Sequence, residues 1–212
     1  MSEKEKKLIN IKIALIGDAG VGKTSIAMRY ANNEFKDDYA STGGAAYSTK
    51  TIQTETQTIH LDIWDTAGQE KFRSVARSFY KDAVIVVLVY DITNKLSFTN
   101  LKDVWLPEIK NNGEENIILG VVGNKNDQYE NEDTVNEVEA KTYSDSINGI
   151  FKLVSAKTGD NINNLFNDIV NLYWEPTFQE KVDEISNKDI GSVRLKKVFK
   201  NKEEIFKSKV CC

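Results

Sequence analysis

Short apolar runs alternate with segments of helical pattern along the chain. Ile11–Ile16 predicts a first strand, while Ala83–Tyr90 and Ile117–Val122 are almost wholly apolar, as strands buried on both faces are. Tyr47–Thr54 and Thr58–Trp64 predict two strands joined by a short polar turn. The pattern therefore predicts a sheet that is mostly buried and has one hairpin.

Four helices are predicted, three of them between strands and one after the last strand. Pro107 lies inside the second helix and predicts a kink or an irregular last turn there. Alternating strands and helices predict an α/β fold, with a six-stranded, mostly parallel sheet, one antiparallel hairpin edge strand and helices on both faces. The predicted helices and the last strand are Lys23–Asn32, Ser97–Lys110, Thr134–Ser146, Asn161–Trp174 and the strand Ile150–Val154.

Length and charge divide the chain into three parts. The 212 residues predict one domain, here residues 10–175, with a short extension at 1–9 and a flexible tail at 176–212. The net charge of −4 gives no electrostatic basis for binding nucleic acid. No apolar run is long enough to span a bilayer, and the charged first ten residues predict no signal peptide.

The loop after the first predicted strand has the pattern of a phosphate-binding loop. Gly17–Thr24 fits G-x-x-x-x-G-K-[ST], between a strand and a helix. Backbone N–H groups of Asp18 to Ser25 are expected to surround the phosphates, and the helix N-terminus favours an anion. Lys23 is expected at the β- and γ-phosphates, and the Thr24 hydroxyl on Mg²⁺. This motif alone leaves GTPase, ATPase and kinase open. The nucleotide-binding residues predicted in this segment are Asp18, Ala19, Gly20, Val21, Gly22, Lys23, Thr24 and Ser25.

Two later strand ends carry groups suited to guanine. The Asp127 carboxylate can accept from guanine N1–H and its exocyclic amine together, whereas adenine would leave it unpaired. The Lys125 stem is expected over the ring, and Asn124 is expected to join this loop to the phosphate loop. In Ser155-Ala156-Lys157, the Ala156 N–H is expected at the guanine O6.

The strand ending at Trp64 leads into Asp65-Thr66-Ala67-Gly68-Gln69. Asp65 is expected in the outer coordination sphere of Mg²⁺, and the Gly68 N–H at the γ-phosphate. Gln69 is expected to orient the attacking water, so it is a catalytic candidate with Lys23. The alternative for Gln69 is a solvated loop residue.

These motifs together resemble those of the Ras-superfamily small GTPases of the Rab family, from Ile11 to about Trp174. Residues 41–47, Ser-Thr-Gly-Gly-Ala-Ala-Tyr, resemble the early-endosomal Rabs. Other Rab-type stretches are Leu61–Trp64, Lys71–Ser74, Phe79–Ala83 and Leu88–Thr93. The resemblance implies a P-loop NTPase G domain that binds GTP or GDP with Mg²⁺ and hydrolyses GTP.

The resemblance also implies roles for single residues. Thr42, the third catalytic candidate, would ligate Mg²⁺ and bind the γ-phosphate in the GTP state, and Phe35 would pack on the guanine edge. Tyr47, Trp64 and Phe79 would form the aromatic triad that Rab effectors contact. The implied partners are effectors, a guanine nucleotide exchange factor, a GTPase-activating protein and a GDP-dissociation inhibitor or escort protein. The protein itself is expected to be a monomer.

The tail carries the expected membrane attachment. Residues 192–210 hold seven basic and two acidic side chains and precede Cys211-Cys212. Rab proteins often end in two geranylgeranylated cysteines, and two lipid chains anchor a protein stably where one does not. The alternative is a charged, solvated tail with two free thiols. The expected location is the cytoplasmic face of endosomal or other vesicle membranes, in exchange with the cytosol.

The sequence departs from the Rab pattern at three places. The aromatic triad has unusual identities, which leaves the choice of effector open, whereas Gly43 replaces an apolar residue and Ala19 replaces a glycine of the Ras pattern. A nucleotide-binding scaffold with little hydrolysis is therefore the alternative to a GTPase switch in vesicle traffic. No arginine lies between Phe35 and Ala46, so hydrolysis is expected to be slow without an activating protein, which can add on the order of 10⁵ in rate.

Gln69→Leu is predicted to keep GTP binding and lose hydrolysis, because leucine cannot hold the attacking water. Single-turnover hydrolysis of bound GTP measures this loss against the wild-type chain. An unchanged rate would remove Gln69 from the mechanism.

Overall fold

The computed structural model describes residues 7–37, 42, 45–53, 57–66, 79–112, 117–129 and 134–174. The expectations for Gly43, Gly68, Gln69, Cys211 and Cys212 lie outside these residues.

Six strands form one sheet in the order β2-β3-β1-β4-β5-β6. The pair β2–β3 is antiparallel and the other four pairs are parallel. The predicted architecture of a mostly parallel sheet with one hairpin edge is therefore confirmed. The strands are β1 Lys7–Ile16, β2 Ala45–Gln53, β3 Gln57–Thr66, β4 Ile85–Asp91, β5 Ile118–Asn124 and β6 Ile150–Leu153.

The burial of each strand explains its sequence pattern. All seven residues of β4 are buried, in keeping with its unbroken apolar run. In β3, Ile59, Leu61 and Ile63 alternate with more exposed positions because only one face of that strand packs on the core. β1 begins four residues before the predicted Ile11, since Lys7 to Asn10 pair with β3 despite their polar members.

The helices are α1 Lys23–Asn32, α2 Lys95–Asn100, α3 Leu106–Asn112, α4 Glu137–Ser146 and α5 Ile162–Tyr173. α4 begins three residues after the predicted Thr134, because the Asn136 side chain accepts a hydrogen bond from Glu139 N–H and caps it. A 3₁₀ turn at Asn126–Gln128 follows β5.

The helix that contains Pro107 is irregular, but in its middle rather than its last turn. A π-helical turn, Leu101–Trp105, joins α2 to α3, and the Leu106 N–H donates to the Leu101 carbonyl. Pro107 has no N–H to offer the carbonyl of Asp103 four residues earlier, so the regular helical bonding is interrupted on its N-terminal side.

Apolar side chains cover both faces of the sheet. On one face α1 and α5 pack on β1, β3 and β5, and Tyr30 stacks on Phe166 with ring centroids 3.8 Å apart. On the other face α2, α3 and α4 cover Ala14, Val86 and Val121. The predicted helices on both faces are confirmed. In the described part of the chain, the helices are too short or too polar to cross a bilayer.

Phe166→Ala is predicted to lower the free energy of unfolding by about 3–5 kcal/mol, because it leaves a cavity between α1 and α5. Denaturant unfolding with GDP in excess measures the change. The control is Asn163→Ala on the exposed face of the same helix, with an expected change within about 0.5 kcal/mol. Equal changes in the two variants would contradict this assignment of the core.

Candidate nucleotide-binding site

The loops that follow β1, β5 and β6 line one cavity of about 450 Å³. Its position at the carboxyl ends of parallel strands is the usual one for ligands of such sheets. The phosphate loop and the first turn of α1 contribute Ala19, Gly20, Gly22, Lys23, Thr24 and Ser25. The remaining predicted nucleotide-binding residues in its wall are Phe35, Thr42, Asn124, Lys125, Asp127, Ala156 and Lys157.

At two positions of the phosphate loop only glycine fits, because other segments of the chain approach the backbone closely. A Cβ on Gly17 would lie 2.1 Å from the Val89 carbonyl oxygen, and one on Gly22 would lie 2.3 Å from the Asn124 amide nitrogen. Gly22 also has φ +93°, a left-handed conformation that strains other residues. α1 begins directly after it, so the free N–H groups of the first turn face the cavity.

Lys23 is buried at the bottom of this loop, with 5% of its surface exposed. Its Nζ donates to the carbonyls of Gly17 at 2.8 Å and Asp18 at 2.7 Å. Burial lowers the pKa of the Lys23 ammonium to about 8, although the charges of Asp65 and Asp18 act in the opposite direction. A bound anion would therefore stabilise the charged form of this side chain.

Three oxygen-bearing side chains meet beside Lys23. The Thr24 hydroxyl donates to Asp65 Oδ2 at 2.5 Å and lies 2.9 Å from the Thr42 hydroxyl. Burial raises the pKa of the Asp65 carboxyl against the hydrogen bonds and the Lys23 charge that lower it. Asp65 Oδ1 is buried without a hydrogen-bond partner among the described residues. The structure thus brings together the three residues predicted for the Mg²⁺ site, and one oxygen of the Asp65 carboxylate is left unsatisfied.

Asn124 joins the phosphate loop, its own loop after β5 and the loop after β6. The sequence predicted its link to the phosphate loop. Its amide nitrogen donates to the Val21 carbonyl at 2.9 Å, and its Oδ1 accepts from the Ala156 N–H at 3.1 Å. The residue is 2% exposed, so both bonds are shielded from water. One side chain therefore fixes the phosphate loop relative to the loop after β6.

Asp127 reaches the cavity from the 3₁₀ turn after β5. Its Oδ1 accepts from the Ser155 hydroxyl at 2.6 Å, and the same hydroxyl accepts from the Thr158 N–H. Ser155 is buried and does not itself line the cavity. Its contribution is to orient the carboxylate.

Lys125 is held by a residue that the sequence patterns did not single out as functional. Its Nζ lies 2.5 Å from Asp91 Oδ2, and Asp91 Oδ1 also accepts from the backbone and hydroxyl of Thr93. This pair keeps the Lys125 stem in the cavity wall, where it was expected. The sequence did offer a signal that Asp91 is functional. Asp91 stands at the carboxyl end of β4, as Asp65 does at the carboxyl end of β3.

Arg29 is a second residue that sequence reasoning missed. It projects from α1 and donates to the carbonyls of Ala156 and Lys157, each at 2.8 Å. Its guanidinium also lies 5.8 Å from the centre of the Phe35 ring. Nothing in the local sequence predicts contacts between residues more than a hundred positions apart.

Asp18 and Val21 belong to the phosphate loop, yet their side chains point away from the cavity. Val21 packs in the core. The Asp18 carboxylate accepts from Asn100 Nδ2 and from Trp105 Nε1, both at 2.7 Å. Trp105 is a core residue, and its indole N–H also holds the phosphate loop.

The predicted aromatic triad is assembled on β2, β3 and the segment before β4. Tyr47 and Trp64 are cross-strand partners with ring centroids 5.2 Å apart, and Trp64 lies 5.9 Å from Phe79. Tyr47 is 54% exposed and its hydroxyl donates to Asp62 at 2.6 Å. These rings form one surface outside the nucleotide cavity.

A doubly wound sheet whose first strand ends in a phosphate loop defines a P-loop nucleotide-binding protein. The family model of the Ras family matches residues 12–174, so this chain belongs to the Ras family.

Individual relatives indicate a subgroup within the Ras family. The chain is similar to Ras-related protein Rab-22A of Homo sapiens, at 42% identity over 162 residues, 76% of this chain and 82% of the relative. It is similar to Ras-related protein Rab5A of Oryza sativa subsp. japonica, at 42% over 164 residues, 77% and 79% of the two chains. GTP-binding protein ypt5 of Schizosaccharomyces pombe is 39% identical over 162 residues, 76% of each.

The expected Rab membership is therefore confirmed. The protein is a small GTPase, a switch in vesicle trafficking that binds GTP and GDP and hydrolyses GTP. Ras-family GTPases use Mg²⁺ with the nucleotide and work with regulators and effectors. No finding favours the scaffold alternative over this activity.

Gly22→Ala is predicted to weaken GDP binding far more than Gly20→Ala, by roughly tenfold or more. Both glycines have positive φ, so both alanines are strained, but only at Gly22 does the new methyl displace the Asn124 amide. Nothing lies within 4 Å of a Cβ on Gly20. Titration with fluorescent GDP compares the two, and equal losses would show that strain rather than the Asn124 contact is responsible.

Proposed function

We propose that the cavity is the guanine nucleotide site of this GTPase, and that Asp127 selects the base. The supporting observation is the Asp127 carboxylate at the cavity wall, oriented by the Ser155 hydroxyl. An acceptor-only carboxylate matches the two adjacent donors of guanine, and adenine presents an acceptor there instead. The Ala156 N–H, fixed by Asn124, lies in the same wall for the O6 oxygen.

The base is enclosed from two further sides. Lys125, whose ammonium is paired with Asp91, would place its apolar stem over the ring, and Phe35 would cover the guanine edge. Lys157 lies beside Ala156 in the wall and adds a second aliphatic stem. Arg29 keeps this wall in place by binding the backbone of Ala156 and Lys157.

The phosphates would bind at the opposite end, over the start of α1. The backbone N–H groups from Asp18 to Ser25 and the dipole of α1 supply a neutral anion site. Lys23 adds the positive charge, and its buried position means that the nucleotide meets it with little intervening water. Lys23 is in this way a catalytic residue as well as a binding one, because it neutralises charge that develops on the β–γ bridge.

The meeting point of Thr24, Thr42 and Asp65 fits Mg²⁺. Two hydroxyls and a carboxylate are the hard oxygen donors that this ion takes, and the buried Asp65 Oδ1 needs a partner. We assign Thr24 and Thr42 as direct ligands and Asp65 to the outer coordination sphere. A bound ion would supply positive charge to the phosphates, and the three residues would fix where that charge lies.

Thr42 and Gly68 make the site a switch. Both would contact the γ-phosphate, so its loss would release the segments on either side of them and change the surface that partners meet. Gln69 would orient the attacking water. The partners proposed to act on this cycle are an activating protein, an exchange factor and a GDP-dissociation inhibitor or escort protein.

The triad of Tyr47, Trp64 and Phe79 is the proposed effector surface, because its rings contact one another and Tyr47, on β2, is exposed.

We propose residues 7–175 as the GTP-binding domain, rather than 10–175, because β1 begins at Lys7, and residues 176–212 as the tail. Cys211 and Cys212 are its proposed geranylgeranyl sites, with the basic segment before them attracted to anionic lipid. An endosomal membrane is the proposed location, from the resemblance of residues 41–47 and the similarity to Rab-22A and Rab5A.

Asp127→Asn is predicted to weaken GTP binding by about 10²-fold or more and to favour xanthosine triphosphate. An asparagine amide offers a donor to the C2 carbonyl of xanthine, where guanine carries its amine. Competition against fluorescent GDP measures both nucleotides, with ATP expected to compete in neither protein.

The matched control is Asp160→Asn, which removes one charge from an exposed position in the loop after β6. Its nucleotide preference is expected to equal that of the wild-type chain. If Asp127→Asn also leaves the preference for GTP intact, Asp127 does not read the base.

A further inference from the structure

The side chain of Asp18 is the one acidic group of the phosphate loop, and both of its oxygens are bound by a distant helix. Oδ2 accepts from Asn100 Nδ2 and Oδ1 accepts from Trp105 Nε1, each at 2.7 Å. Charge-assisted hydrogen bonds of this length are among the stronger ones in proteins. We call Asp18, Asn100 and Trp105 the loop clamp.

The π-helical turn explains how one helix reaches both oxygens. Asn100 and Trp105 are five residues apart, and in a regular α-helix such residues point about 140° away from each other. The i→i+5 bonding of the π turn Leu101–Trp105 brings residues at this spacing onto neighbouring positions. The irregular turn thereby places two donors on the same side, toward one carboxylate.

The clamp acts on the part of the loop that faces the phosphates. The Asp18 carbonyl accepts from Lys23 Nζ at 2.7 Å, and the next residue, Ala19, lines the cavity. Trp105 is 2% exposed and packed among Leu101, Leu106 and Ile109, so its N–H is a fixed donor rather than a mobile one. Movement at Asp18 would displace both Lys23 and Ala19.

We propose that Asp18, Asn100 and Trp105 are positioning residues for the bound nucleotide. The π turn holds the outer limb of the phosphate loop, Asp18–Ala19, and through it the Lys23 ammonium. Loss of either donor loosens this limb and speeds nucleotide release. The inference rests on the proposed role of the phosphate loop.

The first test compares release of fluorescent GDP, in excess Mg²⁺, from the full chain and its variants. Trp105→Phe removes the N–H and keeps an aromatic ring in the core, and Asn100→Ala removes the second donor. Each is expected to release GDP roughly tenfold faster, since a hydrogen bond to a charged group is lost. The matched control, Trp174→Phe at the end of α5, is expected to release GDP at the wild-type rate.

A reciprocal exchange separates positioning from general stability. Asp18→Asn removes the negative charge of the acceptor, so that neutral hydrogen bonds to Asn100 and Trp105 replace charge-assisted ones, and it is expected to speed release. The double variant Asp18→Asn/Asn100→Asp restores a charged acceptor facing a donor, while the oxygen of the new amide at position 18 still accepts from Trp105. Its release rate is expected to return to within a few-fold of the wild-type rate.

A spectroscopic measurement reports the Trp105 bond directly. The indole N–H resonance of Trp105, assigned from its absence in Trp105→Phe, is expected to shift in Asp18→Asn and to keep its position in Trp174→Phe. Both variants are measured with GDP bound.

The outcomes are distinct. Wild-type release rates in both Trp105→Phe and Asn100→Ala overturn the proposal, and so does fast release that the reciprocal exchange leaves unrepaired. If Trp105→Phe fails to fold, Asp18→Asn and the double variant decide the question alone. A wild-type chain that does not bind fluorescent GDP would instead refute the proposed nucleotide site, before any variant is compared.

Discussion

The arrangement of this site depends on two hydrogen bonds made by the side chain of Asn124. One bond holds the Val21 carbonyl of the phosphate loop, and the other holds the Ala156 N–H of the loop after β6. Both are buried, and Gly22 lacks a side chain where the amide passes. Because these bonds fix the loops relative to one another, the end that would bind phosphate and the end that would bind the base keep a constant separation.

Other contacts extend this frame outward from Asn124. Asp91 fixes Lys125, Ser155 fixes Asp127, and Arg29 fixes the backbone beyond Ala156. Every one of these pairs joins groups from different strand ends or from α1. A site that must recognise a flat base and a chain of phosphates needs rigid walls, and hydrogen bonds between loops supply that rigidity where loops alone do not.

The irregular helix that contains Pro107 also holds a loop of the site in place. A regular helix across residues 95–112 would not direct both Asn100 and Trp105 at Asp18, whereas the π turn does. The helices on the two faces of the sheet thus have different roles. α1 and α5 cover the face with Tyr30 and Phe166, and the opposite face supports the phosphate loop through Trp105.

The sequence by itself determined the alternation of strands and helices, the phosphate loop at Gly17–Thr24 and the acidic residue at 127. These features are local patterns, and periodicity or a fixed spacing is enough to identify them. Only the tertiary structure decided that Asp91 holds Lys125, that Arg29 supports the loop after β6, and that the side chain of Asp18 serves a helix rather than the cavity. Such pairings join residues 34 to 128 positions apart, so they arise from how the sheet brings its strand ends together, and no local pattern specifies which residues will pair.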